Sequence, residues 1–526
     1  MNAQANRVST NAHALSVAAG ILLSRLVGLV RDRVFAHYFG NSDAADAFRA
    51  AFRIPNFLQN LFGEGVLSAS FIPVYARLNA EDRQREAAQL AEAIFALLFL
   101  VTSVLVAGGV FATPWLIDLI APGFHGEKRL LTIQLVQILF PGAALLVLSA
   151  WCLGILNSHR KFFLSYAAPV VWNVAMIATL LWGGRHHSES QLAVLLAIGS
   201  VIGSGLQFAV QIPAVMSFLW PLRLQLNLAT PHVRTVGKNF FPVFLSRGVV
   251  QISAYIDSWL ASFLGTGAVS ALGYAQTLYT LPVSLFGMAV SAAELPAMSS
   301  ALGTEAEISA ALRQRLTQGL QQIAFFVIPS AVAFVLLGDV IVATIYRSGH
   351  FQGGDVLFVW GVLAGSAVGL LASTSGRLYS SAFYALRNTR TPLNFALLRV
   401  TLTLVLGYFC ALPLPRLLGI EQRWGTAGLT FSAGVAGWLE YLLLRRALHR
   451  TIGAVPAARW RIARLWLVAL LAAIAAYALK RALPPSLNPL LAGPCVLLPY
   501  GAIYLALTQW MGIASLGALN RIFRRR

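Results

Sequence analysis

The sequence predicts an all-α polytopic membrane protein of about fourteen transmembrane helices: two pseudo-symmetric six-helix lobes around a central cavity, plus two C-terminal helices. Three observations carry this prediction. With 58% hydrophobic and 11% charged residues among 526, and a mean hydropathy of +0.71, the chain has too little charge to cover a water-soluble globule. Apolar runs of membrane-crossing length recur along it. Finally, one pattern is written twice: Leu23-Ser24-Arg25, Phe39-Gly40, Pro55 and Leu61-Phe62-Gly63 return as Leu245-Ser246-Arg247, Leu264-Gly265, Pro282 and Leu285-Phe286-Gly287.

A helix needs roughly 20 residues to cross a hydrocarbon core of about 30 Å. Such runs fall near 14–39, 46–76, 88–113, 129–157, 162–183 and 191–219, then 236–264, 268–300, 313–345, 355–385, 392–412 and 425–447, and last 462–481 and 488–512. The first two are the most polar and the least defined by hydropathy. An N-terminal lobe is expected at 1–220, a C-terminal lobe at 221–450, and the two extra helices with a basic tail at 451–526. No run is followed by a hydrophilic stretch of domain size, so any chemistry belongs to the membrane or its surfaces.

The connections set the orientation. A cytoplasmic N-terminus leaves roughly 23 Lys and Arg on that side against about 8 outside, the bias of the positive-inside rule. Both termini are then cytoplasmic, and the chain is a multi-pass membrane protein. Arg445, Arg446, Arg450, Arg459, Arg461, Arg464 and the tail Arg521, Arg524, Arg525 and Arg526 contribute most. Such clusters mark topology and meet anionic lipid headgroups, so the net charge of +20 does not argue for nucleic acid. Cys152, Cys410 and Cys495 lie in apolar runs without metal-ligand spacing, and the adjacent pair His186-His187 is weak evidence for a metal site, so no metal or cofactor is expected. Met1 to His13 is polar without a cleavage pattern, so the first span is expected to be retained.

The offset between the repeated patterns is about 222 to 227 residues, which suits a duplicated membrane lobe and not a solenoid. Six spans separate the copies, an even number, so both enter the membrane in the same direction and are related by an axis along the membrane normal. Between two such lobes a central cavity is the natural ligand site, reached by alternating access.

Helical spacing picks out what would line it. Ser24, Gly28 and Arg31 stand at i, i+4 and i+7, as Arg25 and Asp32 stand seven apart. Asp46, Arg49 and Arg53 repeat the i, i+3, i+7 pattern in the second span. Pro55 should break that helix just beyond Arg53, with Gly63 and Gly65 loosening the turn around Glu64. The alternative for these charges is snorkelling to the outer surface or mutual neutralisation as Arg–Asp pairs. Arg25 sits midway along its span, and Arg247 is its repeat partner. A charge at such depth is expensive and marks a pathway, and guanidinium forks bind phosphate oxygens bidentately without losing charge.

The run Ser24-Arg25-Leu26-Val27-Gly28-Leu29-Val30-Arg31-Asp32, Asp46-Ala47-Phe48, Phe52-Arg53-Ile54-Pro55-Asn56, Phe62-Gly63-Glu64-Gly65 and Phe71-Ile72-Pro73, with Phe383-Tyr384-Ala385-Leu386 and Thr389-Arg390-Thr391-Pro392, resembles the MurJ/MviN lipid II flippases of the multidrug/oligosaccharidyl-lipid/polysaccharide exporter superfamily. The resemblance implies a flippase that moves the undecaprenyl-diphosphate-linked peptidoglycan precursor from the inner to the outer leaflet of the bacterial cytoplasmic (inner) membrane for cell wall synthesis, with the two extra helices forming a groove for the polyprenyl tail. It places Ser24, Arg25, Arg31 and Arg53 as substrate-binding residues, and Asp32, Asp46 and Glu64 in gating or charge pairing. The partners it implies are lipid II and membrane lipids, with no catalytic residue.

Two departures stand out. Gln59-Asn60 and Thr277 occupy positions where the family commonly has arginines, and Arg247 is the cation placed to restore part of that charge. Asp257, ten residues after Arg247 and about 80° round the helix from it, is a candidate for monovalent-ion coupling or a structural hydrogen bond. Glu294 is expected to cap or snorkel, and Arg377 and Arg399 to contact lipid or loops near the cytoplasmic face.

Three other readings compete. A membrane glycosyl- or polyprenyl-phosphate transferase would need base or metal-binding carboxylates near an aqueous face; the connections offer only Glu81-Asp82 and Glu305 with Glu307, so the chain is not expected to be an enzyme. A drug antiporter would favour acidic and aromatic cavity residues, against the sign of Arg25, Arg31 and Arg53. An exporter of another polyprenyl-linked saccharide stays open, because charge reads the diphosphate and not the sugar. Pro55 and Pro282, at corresponding places in the repeats, are candidate hinges. Without a P-loop, the membrane potential or an ion gradient is the expected energy source, and a monomer the expected state.

Overall fold

The computed structural model describes residues 2–219, 230–299, 304–456, 459–484 and 486–513. The chain divides into two compact units, Met1–Ser262 and Phe263–Arg526. Among the described residues nine helices are long and apolar enough to cross a membrane, or ten if the bent pair Gly353–Ala367 and Leu370–Ala385 is one span. The other four predicted spans fall on helices that are more polar or broken, and three of these four hold the predicted site residues.

In the first unit, α1 (Asn2–Phe39) is followed by a second span in four pieces: α2 (Asp43–Ala51), α3 (Arg53–Phe62), α4 (Glu64–Ser70) and α5 (Ile72–Ala80). Gly40 takes the turn after α1 at a φ of +53°, and the Ser42 hydroxyl accepts from the Ala45 amide to start α2. The predicted break comes one residue before Arg53, at Phe52, and not beyond it. Proline has no N–H to give the carbonyl four residues back and its ring clashes there. That carbonyl belongs to Ala51, so the helix ends at Ala51 and Arg53 opens a new one. A second break falls at Gly63, where an added methyl group would lie 2.1 Å from the Gln59 carbonyl oxygen.

Long helices α6 (Gln84–Ile120), α7 (Gly126–Ser158), α8 (Phe162–Gly183) and α9 (Glu189–Leu219) follow, then α10 (Pro231–Ala261). A buried core including Phe71, Tyr75, Leu90, Trp151 and Ile155 joins the second span to α6 and α7, and the Trp151 indole donates to the Ala91 carbonyl at 3.1 Å. α1 lies along α8, and α10 packs on α3, α4, α5 and α6, so it belongs to the first unit.

The second unit runs through α11 (Ala268–Pro282), a π-helical stretch (Val283–Met288), α12 (Ala289–Ser299), α13 (Glu305–Leu336), α14 (Gly338–Tyr346), α15 (Gly353–Ala367), α16 (Leu370–Ala385), α17 (Arg390–Ala411), α18 (Pro413–Leu417), α19 (Gly425–Ile452), α20 (Arg459–Ala482) and α21 (Pro489–Trp510). The π-helical stretch begins after Pro282, so each of the two corresponding prolines adjoins an irregular backbone. Thr304 and Glu307 cap α13 reciprocally. Within α13, Pro329 leaves the Phe325 carbonyl without its helical donor, and the Tyr504 hydroxyl of α21 supplies one at 2.7 Å. Arg399 pairs with Glu440 of α19 at 3.1 Å. Glu294 lies 3.9 Å from Arg315.

Candidate functional site

α1 presents Arg31 and Asp32 to its neighbours. The Arg31 guanidinium donates to Asp32 Oδ1 through Nε at 3.2 Å and Nη2 at 2.9 Å, and to Asn173 Oδ1 through Nη1 at 3.0 Å. It also lies over the Trp172 ring, 5.1 Å from the centroid. Both partners are themselves held. Asn173 Nδ2 donates to the Pro169 carbonyl at 2.9 Å, which turns Oδ1 toward Arg31, and the Trp172 indole donates to the Ser200 carbonyl and hydroxyl of α9.

Asp32 is buried, and the same Oδ1 lies 3.7 Å from Arg49 Nη2 of α2. Arg49 in turn sits over the Phe35 ring at 4.9 Å. Two guanidiniums share one carboxylate, leaving the trio a net charge of +1. Positive potential in a place of low dielectric attracts an anion.

The three charges predicted to share one face of the second span have three different sets of partners. Asp46 is fully buried and binds Lys128 Nζ at 2.6 Å, with Asp43 Oδ1 on the same ammonium at 2.8 Å and the Phe124 ring beneath it at 4.4 Å. Arg49 joins the Asp32 cluster. Arg53 lies over the Tyr255 ring, 5.8 Å from the centroid, and within electrostatic reach of Asp257. The i, i+3, i+7 rule assumed one helix, and the interruption at Phe52 changes the bearing of everything beyond it.

The Ser24, Gly28, Arg31 stripe, expected to line a cavity, runs beside α8 at Gly28, where an added methyl group would stand 3.9 Å from Asn173 Oδ1. Arg25 is exposed, six residues before Arg31, which is about 9 Å along the helix and about 120° round it. The side chains of Glu64 and Arg247 lie outside the described residues. Thr277 bonds back to the Gly273 carbonyl at 3.1 Å. Lys128, Trp172, Asn173 and Tyr255 were missed by sequence reasoning. Only Lys128 left a signal, as a cation ending the connection before the predicted span 129–157.

The family described as lipid II flippase MurJ matches residues 35–488. The chain belongs to the MurJ lipid II flippase family. Among MurJ relatives, the lipid II flippase MurJ of Burkholderia cenocepacia is 32% identical over 85% of each chain. A Rhizobium meliloti protein named "Probable lipid II flippase MurJ" is 31% identical over 97% of this chain and 95% of its own. A solved MurJ structure in an inward closed conformation superposes with a TM-score of 0.74 at 25% identity, covering 94% of this chain and 98% of the other. An inward-facing multidrug resistance MATE transporter of the MOP superfamily shares the fold at a TM-score of 0.63 and 17% identity, over 83% of this chain and 98% of its own. Membership of the MurJ family and the apolar helices make this a multi-pass membrane protein.

Proposed function

We propose that the protein flips lipid II, the undecaprenyl-diphosphate-linked peptidoglycan precursor, from the inner to the outer leaflet of the bacterial cytoplasmic membrane by alternating access. The observation that carries this reading is the Arg31–Asp32–Arg49 cluster with its net positive charge, braced by Trp172 and Asn173. It stands in a chain whose relatives over 85% and 97% of its length are named lipid II flippases. Guanidinium forks suit a diphosphate better than any neutral headgroup.

Arg25 and Arg31 take the diphosphate in this account, with Ser24 beside them, while Arg53 and Arg247 supply the charge that Gln59, Asn60 and Thr277 do not. Asp32 limits the excess charge so that the ligand is released, and Asp46 acts through Lys128. Glu64 serves in charge pairing. Asp257 couples a monovalent ion or balances Arg53. The lobes 1–220 and 221–450 alternate access with both termini cytoplasmic, as a monomer driven by the membrane potential or an ion gradient. The lipid is moved and not transformed, so the chain acts as a transporter and not an enzyme.

The test is genetic. Depleting a cell of its own lipid II flippase and supplying this chain should restore growth and outer-leaflet lipid II, and Arg25→Ala and Arg31→Ala should not. Failure by a well-expressed, membrane-inserted protein would favour another lipid-linked diphosphate.

A further inference from the structure

Tyr255 stands on α10 against the break in the second span. Its hydroxyl donates to the Arg53 carbonyl oxygen at 2.6 Å, its ring lies under the Arg53 guanidinium, and the Phe57 ring meets it edge-on at a centroid distance of 5.6 Å. One side chain therefore holds residues 53 and 57, one turn apart, where Pro55 forbids the helix of α2 to continue. A carbonyl oxygen carries two lone pairs, so that of Arg53 accepts the hydroxyl without surrendering a helical donor. An aromatic face attracts a guanidinium, more so where water is excluded.

Arg53 differs from Arg31 and Lys128. Arg31 has Asp32 and Lys128 has Asp43 and Asp46, whereas among the described residues no carboxylate lies within 4 Å of Arg53, and Asp257 acts on it from farther off. What fixes this guanidinium is therefore an aromatic ring and a backbone hydrogen bond.

We infer that Tyr255 is a positioning residue for Arg53: it ties the start of α3 to α10 and sets the direction from which the guanidinium meets a lipid-linked diphosphate. The ligand's identity rests on the functional reading above; the positioning rests on the three contacts.

Tyr255→Phe keeps the ring and drops the hydroxyl, and Tyr255→Leu drops both. Gln59→Cys, in the full chain with Cys152, Cys410 and Cys495 replaced by alanine, reports where α3 lies through its rate of labelling by a water-soluble thiol reagent. That rate should change about fivefold or more in Tyr255→Leu and by less in Tyr255→Phe. Lipid II binding by the purified chain should weaken about fivefold in Tyr255→Leu, and Tyr255→Leu with Arg53→Ala should bind no worse than Arg53→Ala alone. If the leucine variant does not reach the membrane, the phenylalanine variant decides. Unchanged labelling, or an additive loss in the double variant, overturns the positioning role whatever the protein carries. A parent chain that ignores lipid II while its labelling still answers to Tyr255 contradicts the functional reading and supports the positioning.

Discussion

The Lys128 ammonium lies 2.6 Å from Oδ2 of Asp46, a carboxylate with no solvent exposure, across 82 residues of sequence. Asp43 reaches the same ammonium at the exposed end of the pair. The contact fastens the first turn of α2 to the start of α7 and so sets where the broken second span begins. Removing one partner of a buried pair leaves an uncompensated charge, a loss of about 3–5 kcal/mol. Lys128→Met should therefore lower the apparent melting temperature of the detergent-solubilised protein strongly. Adding Asp46→Asn to that variant should restore part of the loss, since the orphaned charge is then gone.

Arg31→Lys keeps the charge and should still impair transport. A lysine ammonium cannot reach Asp32 and Asn173 together while lying flat on Trp172, as the guanidinium does. One charge-assisted hydrogen bond is worth about 1.5–3 kcal/mol, so roughly a 10- to 100-fold fall in the initial rate of lipid transport is expected, with protein levels unchanged.

Gly63→Ala places a methyl group against the backbone oxygen of Gln59 at 2.1 Å and the Ala150 side chain at 3.5 Å. The first neighbour is backbone and cannot rotate away, so α4 must shift. A cost of roughly 1–3 kcal/mol is expected, read as a lower melting temperature together with slower transport.

At the end of α5, Arg77 and then Arg83 hold the Glu81 carboxyl below the usual carboxylate range. A depressed folded pKa contributes stability that is present above the unfolded value, about 4.3, and is lost as the pH falls through the folded value. The melting-temperature difference between the wild-type protein and Glu81→Gln should hence be flat from about pH 8 to 5 and shrink progressively as the pH falls below about 4.3. A difference that changes near pH 7 would point to another group.

Span positions were legible because the bilayer fixes the length of an apolar helix: 162–183 and 129–157 were expected, and α8 covers Phe162–Gly183 and α7 Gly126–Ser158. The break near Pro55 was legible in kind but not in place, since proline acts on the carbonyl four residues back and the helix ends there. The charged residues of the site were legible because charge in an apolar run is conspicuous. Their partners were not. Asn173 lies 142 residues from Arg31, and Tyr255 lies 202 from Arg53; no local period links them, and only the packing of α1 on α8 and of α10 on α3 brings them together.

Lipid II translocation by the purified chain in proteoliposomes tests the proposed transport without other cell components. Lipid II should cross the bilayer at a rate well above that of empty vesicles, and Arg31→Ala or Arg25→Ala should abolish the transfer. Transfer no faster than in empty vesicles by folded, correctly inserted protein, or transfer indifferent to both arginines, would contradict the proposed transport.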